Sequence, residues 1–228
     1  MGHAKTRQVC LSWCKPKIDR VVYYLAGTAG IGLFFAMAET EISSPKRDHL
    51  MATAWRLFYR DGYRVVGIDL ILAEAGVAKM TLYHHFASKE ELIVAVLEQR
   101  DRELRASMVA TVKASGRSPS RRLLSVFDWL EGWFRSEDFK GCAFIRALSE
   151  YPDPDHPIHQ TAWRHKLAVQ AMLAELCTAA GARESAVLAN TLSVLIDGAI
   201  VAAHATRSTA PAVAARATAV ALLKLATA

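Results

Sequence analysis

The chain has 228 residues, 52% of them apolar and 22% charged, with a formal net charge of +6. That balance excludes a disordered chain, a collagen-like repeat and a small disulfide scaffold, and it suits one or two globular domains with a sizeable core. The positive charge is local: Lys5, Arg7, Lys15, Lys17 and Arg20 against Asp19 give residues 1–36 a net +4, which leaves +2 for residues 37–228. The basic total is therefore weak evidence for a nucleic-acid partner. The four cysteines, Cys10, Cys14, Cys142 and Cys177, are too few and too scattered for a disulfide framework and form no zinc spacing. They favour a reducing, cytoplasmic compartment.

Residues 21–38, VVYYLAGTAGIGLFFAMA, carry no charge and follow a basic stretch. As a signal peptide they have a basic start, an apolar middle and Ala36-Met37-Ala38 as a small-x-small exit. As a membrane span they are short, and Gly27, Gly30 and Gly32 weaken the helix. The basic flank would then stay in the cytoplasm and send everything after Glu39 outward. A third reading makes Met37 the biological start, with residues 1–36 an extension that is not part of the native protein; this is the expected one.

Beyond residue 40 the apolar residues recur at helical spacing and no alternating strand pattern stands out. Ser43, Ser44 and Pro45 open a helix over about 46–61, with Leu50, Ala54, Leu57 and Phe58 on one face and Gly62 past its end. Short helices follow at about 68–75 and 79–85, separated by Gly76. Ser88 with Glu91 forms a capping box that starts a helix running to about 113. Pro119 suits the first turn of a helix over about 119–135. A shorter helix covers about 141–150, and YPDPDHP at 151–157 delivers the chain into a helix over about 157–180. The last two helices, about 184–206 and 211–227, differ in kind. In the first, Val187, Leu188, Leu192, Val194, Leu195, Ile196, Ile200 and Val201 cover more than one face. In the second, Ala214, Ala217, Val220 and Ala221 permit close approach. Together they predict an intersubunit helix bundle.

Residues 64–92, RVVGIDLILAEAGVAKMTLYHHFASKEEL, are the informative stretch. Two short helices across a glycine-containing turn make a helix-turn-helix, whose second helix can lie in the DNA major groove. Ile68, Leu70, Ile71 and Ala75 are the expected inward face of the first helix, and Val77, Leu82 and Phe86 anchor the second. Lys79, Met80, Thr81, Tyr83 and His84 are left pointing out.

The segment AGVAKMTLYHHFASKEEL resembles, nearly residue for residue, the AGVSKGTLYHHFxSKEEL signature of TetR/AcrR-family transcriptional regulators. FKGCAFIRALSEYPDPDHP and LIDGAIVAA also resemble a regulatory-domain pattern found in one branch of that family. The resemblance implies an all-α fold: a three-helix helix-turn-helix DNA-binding domain at 44–100, then a helical effector-binding and dimerisation domain at 101–228. It makes Lys79 to His85 the recognition helix. Met80 and Thr81 then meet base edges, while Tyr83, His84 and Lys89 meet backbone phosphates. Gly67 and Ala78 depart from the pattern, where the family often carries threonine and serine. Residues 37–100 hold eight Lys/Arg against nine Asp/Glu. Non-specific affinity therefore rests on local placement of Arg47, Arg56, Arg64, Lys79 and Lys89.

The same resemblance implies an effector pocket after residue 100. The candidates for its lining are Trp133, Phe144 and Trp163, with Arg146, Glu150, His159 and His165 as polar groups. An enzyme built on Cys142 with His156, His159 or His165 lacks any accompanying triad motif. A metal site from Asp153, Asp155, His156 and His159 lies in a Pro-rich loop, where these residues also make turns and caps. A membrane-tethered DNA-binding sensor using residues 21–38 is the further alternative. The expectation is a homodimeric, ligand-responsive DNA-binding regulator. It would be a repressor released from a near-palindromic operator by a small molecule, with no cofactor, no metal and no catalytic residue.

Overall fold

The computed structural model describes residues 44–228; the extension at 1–36, the apolar stretch at 21–38 and the Met37 start lie outside the described residues. Among the described residues the chain is all helix. It runs α1 (Pro45–Asp61), α2 (Ile68–Ala75), α3 (Lys79–His85), α4 (Lys89–Ala114), α5 (Pro119–Arg135), α6 (Ala143–Glu150), α7 (Pro157–Ala179), α8 (Ser185–Thr206) and α9 (Ala210–Thr227). Local chemistry sets most of these ends. Ser44, Ser88 and Ser118 each accept a first-turn amide at the starts of α1, α4 and α5, which satisfies a donor that the helix leaves open. At Ser88 the box closes reciprocally, because Glu91 Oε2 accepts the Ala87 amide at 2.6 Å.

The first three helices pack on one another and on the start of α4, which continues unbroken past residue 100 into the second half of the molecule. There α7 is central, touching α4, α5, α6 and α8, while α9 covers α5 and α8. One apolar core results, with Phe58, Tyr63, Phe86, Phe127 and Phe144 fully enclosed.

Two helices show how burial follows periodicity. On α2 the inward residues are Ile68, Ile71, Leu72 and Ala75, whereas the expected Leu70 is 43% exposed. The reason is angular. At about 100° per residue, positions 68, 71, 72 and 75 share a face, and position 70 lies on the far side. On α8 Leu188, Leu192, Ile196 and Ile200 are buried, and Val187, Val194 and Val201 are exposed, seven residues apart on one outer stripe. Both α8 and α9 are long and apolar enough to cross a membrane by length and composition, with mean hydropathy 1.8 and 1.3.

Truncating Leu82, which is fully buried between α1, α2 and α3, is expected to cost about 2–5 kcal/mol. Leu70→Ala is expected to stay within about 0.5 kcal/mol. Urea unfolding of the two variants measures both.

Candidate nucleic-acid interface

The turn between α2 and α3 depends on Gly76, whose φ of 63° and ψ of 33° place it in the left-handed region. Its amide reaches back to the Leu72 and Ala73 carbonyls and closes α2 in one residue. From there Val77 packs against the core, Leu82 and Phe86 are buried, and α3 is pinned from beneath. Pinning one face of a seven-residue helix commits the other face to solvent. Lys79, Met80, Tyr83 and His84 are exposed there and Thr81 is partly so, with Met80 78% exposed. Val65 and Leu70, in the same helix-turn-helix segment, are also exposed apolar groups. Neither Gly67 nor Ala78 supplies a side-chain cap to α2 or α3. The first-turn amides there are thus without the hydroxyl partner that serine or threonine would give.

The basic side chains around this surface are mostly engaged. Arg56 pairs with Glu74 at 2.6 Å, Arg60 with Asp61 at 2.7 Å, and the Arg47 guanidinium lies 5.1 Å above the Phe86 ring. Lys79 has no ion-pair partner among the described residues. Arg64 is turned toward the second half of the molecule. Its Nε donates to the Glu150 carbonyl at 2.6 Å, its backbone amide donates to Glu150 Oε2 at 2.7 Å, and its guanidinium sits 5.1 Å over the Tyr151 ring. Lys89 Nζ donates to the Arg64 carbonyl at 3.2 Å.

Arg146 and Glu150, expected to orient a ligand, thus stand on α6 facing α1. Arg146 Nη1 donates to the Phe58 and Tyr59 carbonyls at 3.3 and 3.0 Å. Two tyrosines complete the contact. Tyr59 donates to the Gly141 carbonyl at 2.8 Å and accepts the Lys140 amide at 2.9 Å; Tyr63 donates to the Ala143 carbonyl at 3.1 Å.

Of the remaining pocket candidates, Phe144 and His165 meet, while Trp133 and Trp163 lie elsewhere. Phe144 is buried, with its ring stacked on His165 at 3.6 Å. Trp133 lies in a separate cleft between α4 and α5, and Trp163, on α7, is 51% exposed. His165 Nδ1 meets Asp101 at 2.6 Å, and Arg105 grips the same carboxylate with two bonds. Burial pushes the imidazole down to about 4, outweighing the pull of Asp101. It is therefore neutral and donates its Nδ1 proton. Burial also works against the Asp101 carboxylate, but the bonds from Arg105 and His165 prevail and hold it below the usual range.

The loop before α7 uses its acidic and histidine residues structurally. His156 Nδ1 accepts the Ile158 amide as the helix cap, Asp153 accepts the Asp155 amide, and His159 bonds the Tyr151 carbonyl. No cluster of three metal-ligating groups occurs among the described residues. Burial pushes the Cys142 thiol up, away from the thiolate that a nucleophile requires.

Comparison with known proteins identifies relatives of the same fold. The family described as bacterial regulatory proteins, tetR family, matches residues 50–96. A TetR-family transcriptional regulator from Streptomyces coelicolor superposes with a TM-score of 0.76 at 34% identity, covering 81% of this chain and 91% of that one. The transcriptional repressor NemR of Escherichia coli is 25% identical over 130 residues, 57% of this chain and 65% of its own. The transcriptional activator FasR of Mycolicibacterium smegmatis is 34% identical over 89 residues, 38% of this chain and 41% of its own. The chain belongs to the TetR family. It is a ligand-responsive DNA-binding transcriptional regulator and not an enzyme.

The unfolded imidazole titrates near 6.5, so as pH falls the unfolded chain takes up this proton before the folded one. Stability held above pH 6.5 is therefore lost progressively toward pH 4. Thermal melts over that range are expected to show a falling midpoint, and His165→Asn, which cannot ionise, is expected to flatten the profile.

Proposed function

We propose that the protein is a homodimeric repressor that reads a near-palindromic operator in the cytoplasm and is released from it by a small molecule. Residues 44–100 act as the DNA-binding domain and residues 101–228 as the effector-binding and dimerisation domain. The observation that carries the DNA reading is the exposed row on α3, anchored from below by Leu82 and Phe86. Met80 and Thr81 contact base edges, where a methyl or thioether meets a thymine methyl. Lys79, Tyr83 and His84 contact phosphates and set the register, with Lys89 behind them at the start of α4. Arg64 is assigned to holding α6 rather than DNA. With Arg47, Arg56 and Arg60 engaged within the protein, non-specific affinity is modest and specificity rests on α3.

Dimerisation is supported by the outer faces of α8 and α9. Val187, Val194 and Val201 form an exposed stripe on α8, and Val213 and Leu225 are exposed on α9. An open groove of about 720 Å³ runs beside the stripe, walled by small residues such as Gly198, Ala202 and Ala214. A surface of this kind marks an interface. A two-fold pairing of these helices gives an isologous bundle and presents two α3 helices to two half-sites. It also accounts for the hydropathy of the two helices without a membrane.

Selection of bound duplexes from a random pool by the full chain is expected to enrich a two-fold symmetric site; enrichment of no sequence by the folded dimer overturns the reading. Thr81→Ala is expected to cost about 1–3 kcal/mol at particular base pairs. Tyr83→Ala should weaken all sequences alike. Val194→Asp with Val201→Asp is expected to yield a folded monomer by sedimentation that has lost operator binding.

A further inference from the structure

Resting on the ligand-responsive reading above, we propose that the open cleft between α4 and α5 binds a planar aromatic cation against the indoles of Trp129 and Trp133, with Glu103 and Asp128 as its counter-charges. The cleft has a volume of about 440 Å³, within the size range of small-molecule sites. Its aromatic wall is held in place before any ligand arrives. The two indoles stand one turn apart on α5 with centroids 5.4 Å apart and a tilt of 33°. Trp129 Nε1 donates to Ser107 Oγ on α4 at 3.0 Å, and Trp133 is braced edge-on by Phe139 at 5.1 Å. Fixed aromatic faces bind at low entropic cost.

Gly132 lies beside them and keeps the cleft open. A Cβ there would meet nothing within 4 Å, so neither packing nor backbone conformation requires glycine at this position. A glycine inside a helix is destabilising relative to alanine. What it leaves here is space over the cleft floor.

Beside the indoles the cleft is lined by Glu103, Asp128 and Arg100, two carboxylates against one cation. Glu103 and Asp128, both about half exposed, flank the indoles from opposite helices. Each is held by an arginine, Glu103 by Arg100 at 3.5 Å and Asp128 by Arg216 at 2.6 Å. These are partners that a ligand cation can replace. Indole faces attract cations, and the chain already uses this chemistry next door, where the Arg100 guanidinium lies 5.0 Å over the Trp55 ring. The same contact carries the signal. Trp55 belongs to α1 and Arg100 to α4, so a ligand that takes Glu103 from Arg100 alters the packing of α4 on the DNA-binding half.

The test is a fluorescence titration of the full chain with N-methylacridinium, and with acridine-9-carboxylate as the anion of the same ring system. Saturable binding of the cation, about tenfold or more tighter than the anion, is expected. Gly132→Leu, whose Cβ meets nothing within 4 Å, adds bulk beside the indoles and is expected to weaken the cation by about tenfold or more. Glu103→Gln is expected to narrow the cation preference to about threefold. No saturable binding, equal affinity in Gly132→Leu, or an anion bound as tightly as the cation overturns the proposal. Operator selection without probe separates the two readings. A chain that binds operator but not the cation overturns the cleft alone. A chain that binds no DNA overturns the regulator reading, and the titration then decides the cleft by itself.

Discussion

The arrangement depends above all on the polar contact that joins α6 to the C-terminal end of α1 and the residues just after it. Tyr59, Tyr63, Arg64, Arg146 and Glu150 exchange hydrogen bonds across that seam, most of them between a side chain and a backbone carbonyl. The carbonyls they reach lie near helix ends, where intrahelical partners run out, and Phe58 O accepts the Gly62 amide at 2.9 Å as well as Arg146. Apolar packing between α1 and α4 holds the halves in contact, but it is tolerant of sliding. The directional bonds at α6 fix how they meet. On the proposed reading, an effector that moves α6 or α4 must break or carry these bonds, which would convert a local rearrangement into a displacement of α3.

The proposed reading head on α3 is economical. Leu82 and Phe86 beneath α3 and the left-handed Gly76 before it leave the helix no other orientation. The neighbouring arginines are engaged by Glu74, Asp61, Glu150 and Phe86. The surface therefore offers DNA a few placed side chains rather than a broad positive field, and discrimination among sequences gains at the expense of indiscriminate attraction.

The second half divides its work by face. Residues of α8 and α9 that look inward fill the core, and those that look outward form the apolar stripe suited to a second copy. On α5, Phe127 and Leu130 face the core while Trp129 and Trp133 line the cleft toward α4. The buried His165–Asp101–Arg105 cluster occupies the space between α4 and α7 with its hydrogen bonds satisfied. An open cleft of about 440 Å³ also lies beside that cluster, lined by Asp101, Arg105 and His165, so it differs from the α4–α5 cleft in lacking an indole wall and not in being closed.

The nine described helices are legible in the sequence because their apolar residues recur at helical spacing and several of their ends are written in local chemistry. Serine caps, Gly76, Pro119 and the Pro-rich run before α7 act over a few residues and need no tertiary partner. The outward row on α3 is legible for the same reason, since the anchors Leu82 and Phe86 fix the phase of a short helix. Leu70 misleads because its apolar character points inward while its angular position points outward, and position decides. Contacts between residues distant in the chain are a different matter. Nothing local reveals that Arg64 turns to Glu150, 86 positions away, or that Trp129 and Trp133 face α4 while Trp163 faces water. Composition and spacing determined which helices form and which of their faces are apolar. The tertiary structure decided which polar groups lie within bonding distance, because that depends on how helices far apart in sequence are brought side by side.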